Sequence, residues 1–275
     1  MGIKKVGLAL GSGAARGLAH IGVLEVLERE GIPIDMIAGT SAGAAVGALY
    51  AQGKDASYIK KVVLDLGWKK MAPLVDLSLP KSGFIKGRKI KDLLASFIGG
   101  DIKFSDLKIP FACVATDIDT GEEVVIDRGC VMDAVRASIS IPAIFTVVRR
   151  EGRYLVDGIL VNPVPVNVVK QMGADFVIAV NVIPNAAERV SQASKRPTPK
   201  PKEPNIIHVM MQSIHISSYS LVRSSLEDAD IVIRPQMAHI SANEFHRARE
   251  CIQEGKMAAQ ISIPEIKRRL NALNP

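Results

Sequence analysis

Two glycine-rich turns, each set between an apolar run and a helical pattern, do most to limit what this chain can fold into. Residues 11–17 read G-S-G-A-A-R-G and follow the apolar run Val6–Leu10. Residues 39–43 read G-T-S-A-G and follow Met36-Ile37-Ala38. The second turn has the form of a nucleophile elbow, with Ser41 between Gly39 and Gly43. Such a turn needs small neighbours, because bulky ones block the tight passage from strand to helix. The first turn opens a helix, so its backbone N–H groups point outward, where they can hold negative charge. A serine nucleophile beside an anion cradle is the minimum equipment for acyl transfer through an oxyanion.

The rest of the chain continues the alternation. Residues 15–30 have helical spacing, with Leu18, Ile21, Leu24, Val26 and Leu27 as the apolar set. The helix after Ser41 is rich in Ala and Gly, which permits close approach to a sheet. Residues 111–116 and 123–126 form two strands joined by the turn Asp119-Thr120-Gly121. A helix at 130–138 precedes Pro142, Arg153–Val156 is a strand, and 176–182 is a strong core strand. A helix near 206–225 and a strand at 230–234 follow, then a polar helical tail. Strands and helices in alternation imply a mostly parallel central sheet flanked by helices on both faces. Residues 1–275 are expected to form a single domain, because the late strand completes the same sheet. Residues 55–108 form a cap insertion. A loop at 184–205 carries five prolines.

Ser41 needs a base, since a free hydroxyl is a poor nucleophile at neutral pH. The five histidines are His20, His208, His215, His239 and His246. None follows the elbow in the place and context that an α/β-hydrolase triad demands, and the elbow arrives too early for that fold. His20, four residues after Arg16 on the same helical face, is expected to be structural. Asp157 ends an apolar strand, and Gly158 lets the chain turn beside it. Taken alone, Asp-Gly is an ordinary turn. An aspartate at its ordinary pKa of ~3.9 is also a weak base, so apolar surroundings have to raise it. Asp117 and Asp119 look like metal ligands in isolation, but a hairpin turn explains them better. Met210 and Met211 are expected in the core.

Four stretches decide between these readings. They are G-S-G-A-A-R-G-L-A-H-I-G-V-L (11–24), G-T-S-A-G (39–43), A-S-I-S-I-P-A-I-F (137–145) and D-G-I (157–159). In order and spacing, over roughly residues 5–182, the chain resembles the patatin-like phospholipases, in particular their bacterial branch related to neuropathy target esterase. The resemblance implies a three-layer patatin-like α/β fold and ester hydrolysis on lipids. It also implies a Ser–Asp dyad of Ser41 and Asp157, with an oxyanion hole from the amides of Gly11, Ser12, Gly13 and Ala14. No metal or organic cofactor is required by that chemistry. The sequence departs from the family pattern at Ser12 and Ala14, often glycine, and at Ile159, the last place of a D-G-G motif. Arg16 has two readings: it helps hold a lipid phosphate or the oxyanion loop, or it pins the helix start. A rival function is a slow or inactive member acting as a membrane-associated regulatory binding protein. Reaction of Ser41 with a fluorophosphonate probe separates the two. A nucleotide-binding reading of residues 11–17 lacks the G-K-[ST] ending and an acidic ribose partner.

Composition bears on partners. Residues 60–91 hold nine basic and two acidic side chains, which accounts for the whole formal charge of +7. Trp68, Met71, Leu74 and Phe84 lie among them. This mixture suits either a solvated cap or an anionic lipid surface. No recognised nucleic-acid-binding motif accompanies the basic residues. Three widely spaced cysteines, Cys113, Cys130 and Cys251, fit a reducing cytoplasm, and the start of the chain has no signal-peptide pattern. The expected location is therefore the cytoplasm, peripheral to the inner membrane surface. If residues 60–91 dock on lipid, binding to anionic vesicles should fall as salt rises, and reversing Lys69, Lys70, Arg88 and Lys89 to glutamate should weaken it. Vesicle sedimentation that is indifferent to both salt and charge reversal would leave the segment an ordinary solvated cap.

Overall fold

In the computed structural model, residues 4–65, 101–142, 144–185 and 206–273 are described, together with positions 95, 98, 99, 187, 188 and 191. Most of the basic segment 60–91, including Trp68, and most of the proline-rich loop lie outside the described residues.

The strands are β1 (Val6–Leu10), β2 (Met36–Thr40), β3 (Phe111–Asp117), β4 (Glu123–Ile126), β5 (Val148–Arg150), β6 (Arg153–Asp157), β7 (Phe176–Val180) and β8 (Ile231–Ile233). The helices are α1 (Ala19–Arg29), α2 (Ala42–Ala51), α3 (Ala56–Asp65), α4 (Val131–Ser138), α5 (Val166–Gln171), α6 (Ile206–Ser225) and α7 (Ala248–Leu273). All eight strands form one sheet in the order β5-β6-β3-β2-β1-β7-β8, with β4 also on β3. The run β3-β2-β1-β7-β8 is parallel, and β4, β5 and β6 add antiparallel pairings at one side. The late strand β8 joins the same sheet.

Parallel strands need both faces covered, and β1 shows how this is met. Leu8 and Leu10 belong to an apolar cluster that takes in residues of α1, α2, α3, α4 and α7. Ala9, between them, belongs to a second cluster on the other face, with residues of α5 and α6. The result is three layers, helix–sheet–helix, with the strand period of two sorting residues between the clusters.

Several details differ from the sequence reading. The helix expected over 15–30 begins as a 3₁₀ turn at Ala14–Leu18 before α1. The short strand β5 has no periodic signal and was not expected. Met210 is 41% exposed, not core, because α6 turns its Ile206, Val209 and Met210 side outward.

The register of β3 positions the site. β2 lies beside residues 111–114, β6 beside 115–117, and β4 beside 113–116. The β4 pairing overlaps both others, so β4 occupies one edge of β3, and β2 and β6 share the other. β2 runs parallel to β3 and β6 antiparallel, so their C-terminal ends meet head to head. Thr40 pairs with Val114, and Asp157 pairs with the next residue, Ala115.

Helices α1 and α7 meet at their backbones. A Cβ on Gly22 would fall 1.9 Å from the Ile252 carbonyl oxygen, and one on Gly255 would fall 2.0 Å from that of Ala19. Gly22→Ala and Gly255→Ala should each destabilise the fold by at least about 1–3 kcal/mol, the usual range for overpacking. Thermal unfolding should report this as a loss of several degrees. An unchanged melting temperature in both variants would contradict this close approach.

Candidate active site

The site lies at the C-terminal ends of β1, β2 and β6. Ser41 follows β2 and has φ 55° and ψ −118°, a left-handed conformation that is costly for a residue with a Cβ. The flanking glycines make it possible. A Cβ at Gly39 would lie 2.6 Å from Ala44 backbone atoms, and one at Gly43 would lie 2.1 Å from the Leu10 carbonyl oxygen. Gly43 therefore rests directly on the end of β1, where the glycine loop begins. A Cβ at Gly17 would lie 2.4 Å from that of Ala42, so loop and elbow touch at two points.

The head-to-head strands bring Ser41 and Asp157 together. Ser41 Oγ donates to Asp157 Oδ2 at 2.6 Å, and the Ile159 amide donates to Asp157 Oδ1 at 2.9 Å. Gly158 is required next to the aspartate, since a Cβ there would fall 2.4 Å from the Val114 carbonyl oxygen. Asp157 is 1% exposed and Ser41 4%. Burial disfavours the carboxylate and raises the Asp157 pKa to about 7, against the opposing pull of the hydrogen bonds from Ser41 and Ile159. The carboxyl is thus poised as a base near neutral pH, which an exposed aspartate is not.

The loop at 11–17 supplies amides, but not the four expected. Gly11 N–H donates to the Val180 carbonyl at 3.0 Å and Ser12 N–H to that of Pro163 at 2.8 Å. Both hydrogens are used to fasten the loop, which corrects the expectation that all four amides face the substrate. Among the described residues the amides of Gly13 and Ala14 have no hydrogen-bond partner. Ala14 has φ 49°, a conformation that glycine adopts more easily. A Cβ at Gly13 would lie 2.4 Å from Val182 Cγ2.

The loop is held from distant parts of the chain. Arg16 is 3% exposed, and its Nε donates to the Ile240 carbonyl at 2.7 Å. The Ala15 amide donates to the Ala242 carbonyl at 2.9 Å. Arg16 therefore ties the glycine loop to the segment before α7. His20 is fully buried, and its Nε2 lies 2.7 Å from the Gly11 carbonyl oxygen, so that nitrogen carries the proton. Burial lowers the His20 pKa to about 4 and keeps the ring neutral. Among the described residues, Ser41 Oγ bonds Asp157 and no histidine. Asp119 N–H donates to Asp117 Oδ1 at 3.1 Å, which makes this pair part of a turn. No group of His, Cys, Asp or Glu among the described residues is arranged to hold a metal ion.

Two residues that hold the backbone of Ser41 and Asp157 were missed in the sequence. The Ser41 amide donates to Ser138 Oγ at 2.9 Å, and the Asp157 amide donates to the Ser140 carbonyl at 2.9 Å. The signal that could have found them is a pair of alternating serines at the end of α4, inside the segment 137–145.

Comparisons with known proteins bear on the family and the fold. A family model described as patatin-like phospholipase matches residues 8–170. An uncharacterized NTE family protein of Mycobacterium tuberculosis is 38% identical over 178 residues, which is 65% of this chain and 49% of that protein. A protein named lysophospholipase NTE1 from Pyricularia oryzae is 31% identical, covering 92% of this chain and 18% of the relative. The chain thus spans about half the length of the mycobacterial relative and a minor part of the fungal one. Among solved structures, VipD from Legionella pneumophila superposes with a TM-score of 0.53 at 13% identity, covering 92% of this chain and 67% of that one. That similarity is one of fold.

The Asp157 geometry has a consequence for stability. The folded pKa of about 7 lies above the ordinary aspartate value of 3.8, so folding penalises the carboxylate above pH 7. As pH falls from 7 toward 4 the folded state takes up the proton first and the penalty fades. At about 1.4 kcal/mol per pKa unit, the penalty above pH 7 is on the order of a few kcal/mol. Asp157→Asn should therefore be more stable than the parent at pH 8, with the advantage shrinking toward pH 4. Denaturant unfolding at both pH values tests this, and a difference independent of pH would contradict the raised pKa.

Proposed function

The chain belongs to the patatin-like phospholipase family, and on that premise we propose that it is a serine hydrolase cleaving acyl esters of lipids through a covalent acyl-Ser41 intermediate. The observation that carries this reading is the 2.6 Å hydrogen bond from Ser41 Oγ to the buried Asp157 carboxylate. Ser41 Oγ attacks the ester carbonyl as its proton passes to Asp157 Oδ2. The oxyanion forms beside the free amides of Gly13 and Ala14, which act as fixed donors. Collapse breaks the bond to the alcohol, and the leaving oxygen takes the proton from Asp157. A water molecule then gives a proton to Asp157 and attacks the acyl carbon. Ser41 leaves and recovers its hydrogen.

The name of the fungal relative supports a phospholipid or lysophospholipid as substrate. Peripheral contact with an anionic membrane, through the basic segment 60–91, fits the same reading. Among the described residues no helix is long and apolar enough to cross a membrane.

Asp157→Asn fits the site, because the amide can accept from Ile159 and donate to Ser41. It then holds Ser41 with the hydroxyl as acceptor, which blocks proton removal. Ser41→Ala and Asp157→Asn should each lower kcat by roughly 10⁴-fold, as when a unit of nucleophile and base is broken. Replacing His215, His239 or His246 singly should leave turnover of a short-chain ester intact. Loss of turnover in one folded histidine variant, with Asp157→Asn still active, would replace the dyad by a triad.

A further inference from the structure

Both members of the dyad are held by the same short turn. α4 ends at Ser138, and the chain passes through Ile139 to Ser140. Ser138 is fully buried, and its Oγ accepts the Ser41 amide hydrogen at 2.9 Å. Ser140, also buried, uses its carbonyl to accept the Asp157 amide hydrogen at 2.9 Å. Ser140 is itself fixed. Its hydroxyl donates to the Arg136 carbonyl at 2.7 Å and accepts from Arg136 Nη1. Arg136 is 7% exposed, and its Nη2 donates to both the carbonyl and the hydroxyl of Thr146 at 3.0 Å.

A buried guanidinium is costly to desolvate, and burial indeed lowers the Arg136 pKa. It does not offset that cost by pairing with the Asp157 carboxyl. Its bonds run to the two residues that bracket the turn's exit, Ser140 and Thr146. The groups acting on the carboxyl are the Ser41 hydroxyl and the Ile159 amide. The turn therefore acts on backbone placement and leaves the charge on the base alone. Ser41 sits at φ 55°, a conformation that persists only where surroundings impose it. The Ser138 hydroxyl is the group that receives its amide.

We propose that the turn Arg136–Ser140 is the positioning element of the dyad: Ser138 fixes the backbone of the nucleophile, and Ser140, clamped by Arg136, fixes the backbone of the base. This inference rests on the dyad reading above. Two strands that meet head to head share no ladder hydrogen bonds with each other, so their register along β3 does not by itself fix the gap between their ends. A turn bonded to both ends fixes it.

The test compares Ser138→Ala, Ser138→Thr and Arg136→Lys with the parent in ester hydrolysis over pH 5–9, alongside Ser41→Ala. Ser138→Ala should lower kcat by about 10- to 100-fold, the scale of a small misplacement of reacting groups, with KM unchanged. The acid limb of kcat/KM should also move to higher pH, because the Ser41 hydrogen bond that lowers the Asp157 pKa is weakened. Ser138→Thr keeps the hydroxyl and should restore most of the rate. Arg136→Lys, which replaces the two-nitrogen fork spanning Ser140 and Thr146 with a single nitrogen, should resemble Ser138→Ala. A parental kcat and an unmoved acid limb in folded Ser138→Ala would overturn the proposal, as would a change confined to KM. If Ser138→Ala does not fold, Ser138→Thr and Arg136→Lys decide: parental behaviour in Arg136→Lys overturns it. An inactive Ser41→Ala beside an unaffected Ser138→Ala would refute the positioning role alone, whereas an active Ser41→Ala would remove the dyad reading itself.

Discussion

Everything at the site depends on two strands ending against each other on one edge of β3. β2 arrives parallel and β6 antiparallel, and the register puts Thr40 and Asp157 beside consecutive residues of β3. Ser41 is the first residue past β2, so this placement brings it next to Asp157, to which its Oγ donates a hydrogen bond of 2.6 Å. The glycines read as consequences of the same crowding. Gly39, Gly43 and Gly158 each occupy a point where a Cβ would meet backbone atoms within 2.6 Å. Small residues here are a packing requirement before they are a chemical one.

The second dependence is on dryness. Burial raises the pKa of Asp157 to about 7 and lowers that of His20 to about 4. One group is thereby made more basic, as the proposed proton transfer from Ser41 requires. The other is kept neutral while it holds the Gly11 carbonyl. Their effects on stability have opposite signs in acid. Below about pH 7 the folded state gains from protonating Asp157, whereas below the ordinary histidine range it loses by excluding a proton from His20. The left-handed conformations of Ser41 and Ala14 add strain on either side of the reacting centre. The α1–α7 packing and the contacts of residues 240 and 242 hold the glycine loop against that strain.

The chemistry was far more legible in the sequence than its supports. Ser41, Gly39 and Gly43 could be read from local spacing, because an elbow is a local object. Asp157 could not, since Asp-Gly is an ordinary turn until its place among the four blocks is considered. The four amides of Gly11, Ser12, Gly13 and Ala14 looked equivalent because spacing does not say which are consumed by Val180 and Pro163. Arg16 left two readings open for the same reason: its partner, Ile240, lies at the far end of the chain. Ser138, at the end of the expected helix, and Ser140 just beyond it were given no role because the amides they hold belong to other elements. The strand β5 has only three residues and no period to detect. Met210 fits a helical core pattern, yet α6 turns it outward.

The most direct measurement is the pH dependence of covalent labelling of Ser41 by a fluorophosphonate, followed by the mass of the Ser41 peptide. The reagent needs an activated hydroxyl and no lipid interface, so it isolates the dyad from membrane binding. A buried carboxyl base with a pKa of about 7 predicts a labelling rate that rises about tenfold per pH unit below 7 and levels above it. The rise should vanish in Asp157→Asn, along with most of the rate. A rate already level at pH 5, or one that keeps its dependence on pH in Asp157→Asn, would contradict Asp157 as the base.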